Sequence, residues 1–160
     1  MRGVQTAARP AETSVSLCRL IGQTHAEIMR GLEQALLGAS LDLNFTQYLA
    51  LKRLGEQGPM TPGELARTLN YNPGSLTRLL DKLQEAGYVQ RAPHPSDRRS
   101  LRLELTAAAR KKHARIIACA EAAAEKAFAG FKPAERGELR DLLTRLLDHL
   151  HSLREPPAGG

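Results

Sequence analysis

The sequence is poor in cysteine, with only two in 160 residues. Cys18 and Cys119 lie far apart in the chain and match no metal-ligand spacing such as C-x-x-C. This spacing gives no indication of a structural metal or a disulfide framework, and it suits the reducing cytosol. A chain of this length can bury a hydrophobic core without either kind of cross-link.

Long apolar runs are also missing. No segment approaches the ~20 consecutive apolar residues that a membrane-spanning helix needs. The N-terminal segment MRGVQTAARPAETSVSL has no apolar core of signal-peptide length. We therefore expect a cytoplasmic protein with no membrane partner.

No catalytic set is recognisable in the sequence. An enzyme would need a nucleophile with a base and an orienting group, a metal site or a phosphate-binding loop, and no motif supplies one. Asp148, His149 and His151 suggest metal ligands, but two histidines separated by one residue on a helix point to different faces. We expect no enzyme activity, no cofactor and no metal.

Positive charge is what the composition does offer. The 23 Lys and Arg residues outnumber the 17 Asp and Glu residues and give a net charge of +6. A surplus of this size favours polyanionic partners without proving one. Composition alone therefore places nucleic acid ahead of the other partners.

The hydrophobic pattern predicts a mainly α-helical chain with one small β-hairpin. Residues 1–12 lack periodicity and are expected to form a flexible tail. Beyond them, apolar residues recur at helical spacing in segments bounded by capping residues, prolines or glycines. The helices predicted in this way cover about residues 13–37, 44–55, 61–70, 72–87, 106–128 and 133–153.

The third and fourth of these helices have strong start signals. In Thr61-Pro62-Gly63-Glu64 the threonine can cap the amide of Glu64, Glu64 can reach back, and Pro62 suits the first helical position. Asn72-Pro73 repeats the signal of a cap followed by proline. Two short helices joined by a tight turn are therefore expected.

The fourth helix is amphipathic. Its apolar stripe consists of four leucines, so a polar face must lie opposite. The stripe comprises Leu76, Leu79, Leu80 and Leu83, and the polar face comprises Ser75, Arg78, Asp81 and Lys82, with Thr77 at its flank.

A hairpin is predicted after this helix. Residues 88–92 form a plausible strand, and the segment from Leu101 to Leu105 alternates in the way a half-buried strand does. Leu101, Leu103 and Leu105 are expected to face the core. A proline-containing loop with the cluster Ser-Asp-Arg-Arg joins the strands.

This order of elements is typical of a winged helix-turn-helix. A recognition helix can enter the major groove of B-DNA, while a basic loop beside it reaches phosphates or the minor groove. The alternative is a winged-helix protein-interaction module in which the same residues are solvated surface charges. The residues predicted to bind DNA are Asn72, Ser75, Thr77, Arg78, Lys82, Asp97, Arg98 and Arg99.

At these residues the chain resembles the multiple-antibiotic-resistance regulator (MarR) family. The resemblance extends from about Leu17 to Leu153 and is carried by FTQYLAL (45–51), by the block 61–91 and by DRRSLRLELT (97–106). It implies a homodimer that binds a palindromic operator, represses genes, and is released by a small aromatic acid or by oxidation. It also implies a DNA-binding domain over 44–105 and a helical dimerisation region over 13–43 and 106–154.

The last helix independently indicates a partner chain. It carries seven leucines over fifteen residues, from Leu139 to Leu153. A terminal helix of a monomer rarely needs so broad an apolar stripe, so a second copy is the natural cover. Packing within one chain remains the alternative.

Two kinds of sensor follow from the resemblance. Cys18 lies near the position of the reactive thiol in the family's organic hydroperoxide sensors, but its helix has no tyrosine to stabilise a thiolate. We therefore favour buried or half-buried, inert cysteines at positions 18 and 119.

The other possible sensor is a pocket for a small aromatic acid, with His25 donating to its carboxylate. A satisfied surface histidine is the alternative, and the predicted lining is His25, Met29, Phe45, Tyr48 and His113.

Overall fold

The computed structural model describes residues 13–93 and 101–154. These form a mainly helical fold with one antiparallel hairpin, which confirms the predicted fold class. The chain divides into two compact units, Met1–Ala123 and Ala124–Gly160. The elements are α1 (Ser14–Gly38), α2 (Phe45–Gln57), α3 (Pro62–Leu69), α4 (Pro73–Glu85), β1 (Val89–Pro93), β2 (Leu101–Leu105), α5 (Ala107–Ala127) and α6 (Pro133–Ser152).

The helices begin where the capping signals predict. The Thr61 hydroxyl accepts from the amide of Glu64 at 3.2 Å, and the Glu64 carboxylate accepts from the amide of Thr61 at 2.7 Å. Asn44 and Gln47 form a second capping box at the start of α2. These reciprocal bonds satisfy amides that have no partner within the helix.

The end of the second helix was predicted at Gly55 and the Gly58-Pro59 turn. Helix α2 continues through Gly55 to Gln57 and stops at Gly58, whose φ is +80°. A glycine with ordinary helical angles only weakens a helix, whereas a left-handed residue ends it. At the end of α4 the prediction was correct, because Gly87 adopts a φ of +73° directly after the helix.

The core of the first unit is built mainly from leucines. They come from α1, the segment between α1 and α2, α2, α3, α4 and β2, and Ile116 of α5 joins them. Burial of this apolar surface holds the two short helices and the hairpin together. The most deeply buried side chains are Leu36, Leu41, Leu51, Leu65, Leu76, Leu83, Val89, Leu103 and Ile116.

The second strand corrects one prediction. Leu103 and Leu105 are buried, but Leu101 is 48% exposed and does not face the core. It pairs with Pro93 at the end of the hairpin away from the buried pair Val89 and Leu105. Strand alternation sets the face of the sheet, but here the hairpin extends past the hydrophobic core, so no element in the described part of the chain buries Leu101.

A backbone bridge to Met60 anchors the hairpin. Met60 donates to the carbonyl oxygen of Leu103 at 3.2 Å, and the amide of Leu103 donates to the carbonyl oxygen of Met60 at 2.7 Å. Met60 lies between α2 and α3. The pairing therefore fixes β2 directly to the segment that precedes the two short helices.

The second unit contains the end of α5 and the whole of α6. Arg136 donates to the Glu125 carboxylate and to the carbonyl oxygen of Phe128, both at 2.8 Å. Most leucines of α6 are exposed, including Leu142 at 58% and Leu147 at 52%. No helix in the described part of the chain is both long and apolar enough to span a bilayer.

Candidate nucleic-acid interface

Helix α4 has the predicted division into two faces. Leu76, Leu80 and Leu83 are at most 2% exposed, and Leu79 is 8% exposed. The opposite side of the helix is open to solvent along its length. The exposed polar residues there are Ser75, Thr77, Arg78, Asp81 and Lys82.

Two of the predicted contact residues are partly engaged within the helix. The Asn72 side-chain oxygen accepts from the amides of Gly74 at 2.9 Å and Ser75 at 3.4 Å, so it caps α4. The Thr77 hydroxyl donates to the carbonyl oxygen of Pro73 at 3.2 Å. Ser75, Arg78 and Lys82 are the exposed side chains best suited to new hydrogen bonds.

The hairpin lies beside α4 in the manner of a wing. Its strands pair from Val89 and Leu105 to Pro93 and Leu101. The predicted wing-tip residues Asp97, Arg98 and Arg99 lie in the segment 94–100, outside the described residues. Their contacts with DNA stay predictions.

The sequence patterns did not indicate a role for Arg91. It lies on β1 and donates to the Asp81 carboxylate of α4 at 3.0 Å. The two side chains are 37% and 53% exposed, respectively. One sequence pattern could have predicted this ion pair. An acidic residue lies on the exposed face of a helix, and an arginine follows on the first strand of the hairpin.

The candidate effector residues do not all meet. The rings of His25 and Phe45 lie edge to face at 6.5 Å between centroids, and those of Phe45 and Tyr48 are 6.1 Å apart. Met29 is half-buried, and His25 is exposed. His113 instead contacts Gly55. Gly55 lies ten residues after Phe45, which is about 15 Å along α2.

Two further groups shape this ring cluster of His25, Phe45 and Tyr48. Burial raises the pKa of the Tyr48 hydroxyl above its ordinary value of 10.0, so the group stays a neutral donor in the physiological range. The Glu33 carboxylate of α1 accepts from the amide of Phe45 at 2.9 Å. Glu33 was not among the predicted residues, and it places a negative charge at the start of α2.

The two cysteines have different surroundings. Cys119 is half-buried, and its thiol donates to the carbonyl oxygen of Ala35 at 3.2 Å. Cys18 is exposed, so the expectation that it is buried or half-buried was wrong. Val15, Leu17 and Leu20 are exposed as well. No element in the described part of the chain therefore covers the start of α1.

Comparison with known proteins agrees with this geometry. A short helix, a recognition helix with a polar face and an anchored hairpin define a winged helix-turn-helix protein. Residues 43–101 match the MarR family. The chain is 37% identical over 119 residues to an HTH-type transcriptional regulator of Mycobacterium tuberculosis, covering 68% of this chain and 78% of that protein.

Further relatives carry the family name. The multiple antibiotic resistance protein MarR of Salmonella typhimurium is 36% identical over 92 residues, 58% of this chain. The match spans only 62% of that protein's length. A crystal structure of a cysteine-to-serine mutant of MarR from Escherichia coli with operator DNA superposes with a TM-score of 0.77. It is 26% identical and covers 88% of this chain and 99% of that one.

The chain belongs to the MarR family of winged helix-turn-helix transcriptional regulators. The predicted family is therefore confirmed. The relatives are regulators rather than enzymes, in agreement with the expectation from the sequence.

Proposed function

We propose that this protein is a homodimeric, sequence-specific DNA-binding repressor that a small aromatic acid releases from a palindromic operator. The polar face of α4 carries the proposal. Its exposed Ser75, Arg78 and Lys82 lie opposite a buried leucine stripe, in a fold shared with MarR bound to operator DNA.

The chemistry of this face suits duplex DNA. Arg78 can donate two parallel hydrogen bonds to guanine, and Lys82 offers a point charge to a phosphate. Ser75 lies in the first turn of α4, where its exposed hydroxyl suits phosphate oxygens. The net charge of +6 favours the same partner.

The exposed leucines of α6 support the homodimer. Leu142, Leu143, Leu146, Leu147 and Leu150 of α6, and Leu153 directly after it, are 40% to 68% exposed in the single chain. A cleft of about 550 Å³ in the same unit is lined by Leu139, Leu143 and Leu147. A contiguous apolar surface of this kind is unfavourable in water, so a second copy is the natural occupant.

The ring cluster of His25, Phe45 and Tyr48 supports the effector. Exposed His25 can donate to a carboxylate, Phe45 offers a ring edge, and neutral Tyr48 adds a hydroxyl. The Glu33 carboxylate opposes an anionic ligand close to the amide of Phe45, so the acid must bind on the His25 side. His113 is not included, because it contacts Gly55.

The first experiment tests DNA binding. Duplexes would be selected from a random library by the purified protein, and affinity for the selected and a scrambled duplex would be measured by fluorescence anisotropy between 50 and 300 mM salt. We expect a steep fall of affinity with salt, since phosphate contacts release counterions. Lys111→Ala, which removes an exposed lysine of α5, is the control that should match the wild type.

A protein-interaction module is the competing function. It would bind neither the selected nor the scrambled duplex above background, so no salt-dependent affinity for DNA would be measured. Selection that yields no enriched sequence, together with no salt dependence, would reject the DNA-binding proposal.

A further inference from the structure

The ion pair between Asp81 and Arg91 connects the recognition helix to the wing. Asp81 lies one turn after Arg78 on the exposed side of α4, and Arg91 lies on β1. Their charged groups are 3.0 Å apart. This contact joins the two elements that would enter different grooves of the DNA.

Contacts from both strands of the hairpin reach the rest of the first unit. The backbone bridge between Met60 and Leu103 fixes β2 to the segment before α3. On the other strand, Arg91 reaches α4 through the ion pair. Leu103 and Arg91 are cross-strand partners, so the backbone bridge and the ion pair hold the hairpin at the same level, one on each strand.

Stability does not account for this ion pair. Both side chains are more than one third exposed, and pairs of this exposure contribute little to the free energy of unfolding. A carboxylate on a face that meets phosphates also repels DNA. The charge of Asp81 alone thus disfavours DNA binding, which indicates that the side chain has another role on this face.

We propose that Asp81 and Arg91 are positioning residues that orient the wing relative to the recognition helix and thereby set the ratio of specific to nonspecific DNA affinity. The inference rests on the proposed DNA-binding function. A wing at a fixed angle contacts the duplex only when α4 is seated in its own site, so a loose wing costs more affinity at the operator than on random DNA.

The test compares Asp81→Asn, Arg91→Gln and the double variant with wild type. Affinity for the selected duplex and for a scrambled duplex is measured at fixed salt. Glu85→Gln is the matched control. Glu85 is exposed and lies one turn further along α4, and its change to glutamine removes the same negative charge as Asp81→Asn. Thermal unfolding of each variant checks that the fold is retained.

We expect the specificity ratio to fall about tenfold, or about 1.4 kcal/mol, in each single variant. The double variant should lose no more than either one, and exchanging the charges by Asp81→Arg with Arg91→Asp should restore part of the ratio. Glu85→Gln should raise affinity for both duplexes slightly and leave the ratio unchanged.

Two results would overturn the inference. One is a gain of affinity in Asp81→Asn that equals the gain in Glu85→Gln, because Asp81 would then act only as a repelling charge. The other is additive loss in the double variant, because Arg91 would then contact phosphate by itself. Wild-type protein that binds neither duplex would instead refute the proposed function, and the positioning role with it.

Discussion

The imidazole of His113 occupies the space that a side chain at Gly55 would need. A Cβ at position 55 would clash with Nε2 of His113. Nε2 is buried and has no hydrogen-bond partner among the described residues. Helix α5 therefore contacts α2 through a histidine that only glycine at position 55 can accommodate.

In Gly55→Ala the clash forces His113 or α5 to move, which should cost about 1–3 kcal/mol. Alanine gains ~1 kcal/mol over glycine in helix propensity, so the free energy of unfolding should fall by up to about 2 kcal/mol. Urea unfolding measures the difference. Gly31→Ala is the control, since nothing lies within 4 Å of a Cβ there, and it should leave stability equal or higher.

A double-mutant cycle tests whether the contact with His113 causes the loss of stability. Combined with His113→Ala, the Gly55→Ala change should become neutral or stabilising, since the ring that it strikes is gone and the gain in helix propensity remains. An equal loss in both backgrounds would show that the contact is not the cause.

Thr106 links the hairpin to α5. Its hydroxyl donates to the carbonyl oxygen of Gly87 at 2.7 Å and accepts from the amide of Ala109 at 3.1 Å. Thr106→Ala should destabilise the protein by about 1–2 kcal/mol through loss of the cap. Thr68→Ala is the matched control, because the Thr68 hydroxyl only donates to a carbonyl oxygen within its own helix. Equal effects of the two changes in urea unfolding would contradict this role.

Local signals in the sequence predicted the helix starts well. Capping bonds at Thr61 and Asn72 involve neighbours two or three residues away, so the pattern alone contains them. The Asp81 and Arg91 pair and the Gly55 contact with His113 join different elements. Their geometry depends on how those elements pack, which no local pattern specifies.

The exposed Leu101 illustrates the same limit. Alternation correctly assigned Leu103 and Leu105 to the buried face, but it carries no information about where the core ends. The single bridge at Met60 is likewise too short to give a strand pattern. For the candidate effector site, the resemblance to the family suggested five lining residues, and the packing of α5 places His113 against Gly55.

Tyr48 gives a prediction at alkaline pH. Burial raises the pKa of its hydroxyl above 10.0, so the unfolded chain releases this proton at a lower pH than the folded one. The contribution of Tyr48 to stability is therefore constant below pH 10 and falls as the pH rises through the folded-state pKa. Tyr48→Phe should show a shallower loss of stability above pH 10 than wild type. A loss of the same steepness in urea unfolding from pH 7 to 11 would count against burial as the cause.

Arg78 and Lys82 should differ in what they contribute to DNA binding. Arg78→Ala should reduce discrimination between selected and scrambled duplexes by about 1–3 kcal/mol, because a bidentate base contact is lost. Lys82→Ala should weaken binding to both duplexes alike and reduce the salt slope by about 0.9. Anisotropy titrations with both duplexes measure this, with Lys111→Ala as the control. A uniform loss in both variants would argue against base readout by Arg78.

The last prediction is that an aromatic acid, not a peroxide, releases the dimer from DNA. The exposure of Cys18 keeps oxidation as the competing mechanism, although α1 has no tyrosine to stabilise a thiolate. A ligand at His25 can favour a conformation whose recognition helices are wrongly spaced for major grooves about 34 Å apart. A ~100-fold release requires about 2.7 kcal/mol of preference for that state.

The test screens aromatic acids by thermal shift and then follows release of the selected duplex. With the best acid, Cys18→Ser should respond like wild type, whereas His25→Ala should need roughly tenfold more acid, since it loses the donor to the carboxylate. Gln23→Ala, another exposed change on α1, should not alter the response. Release by an organic hydroperoxide that disappears in Cys18→Ser, with no response to any acid, would establish the cysteine as the sensor and reject the ring cluster as the effector site.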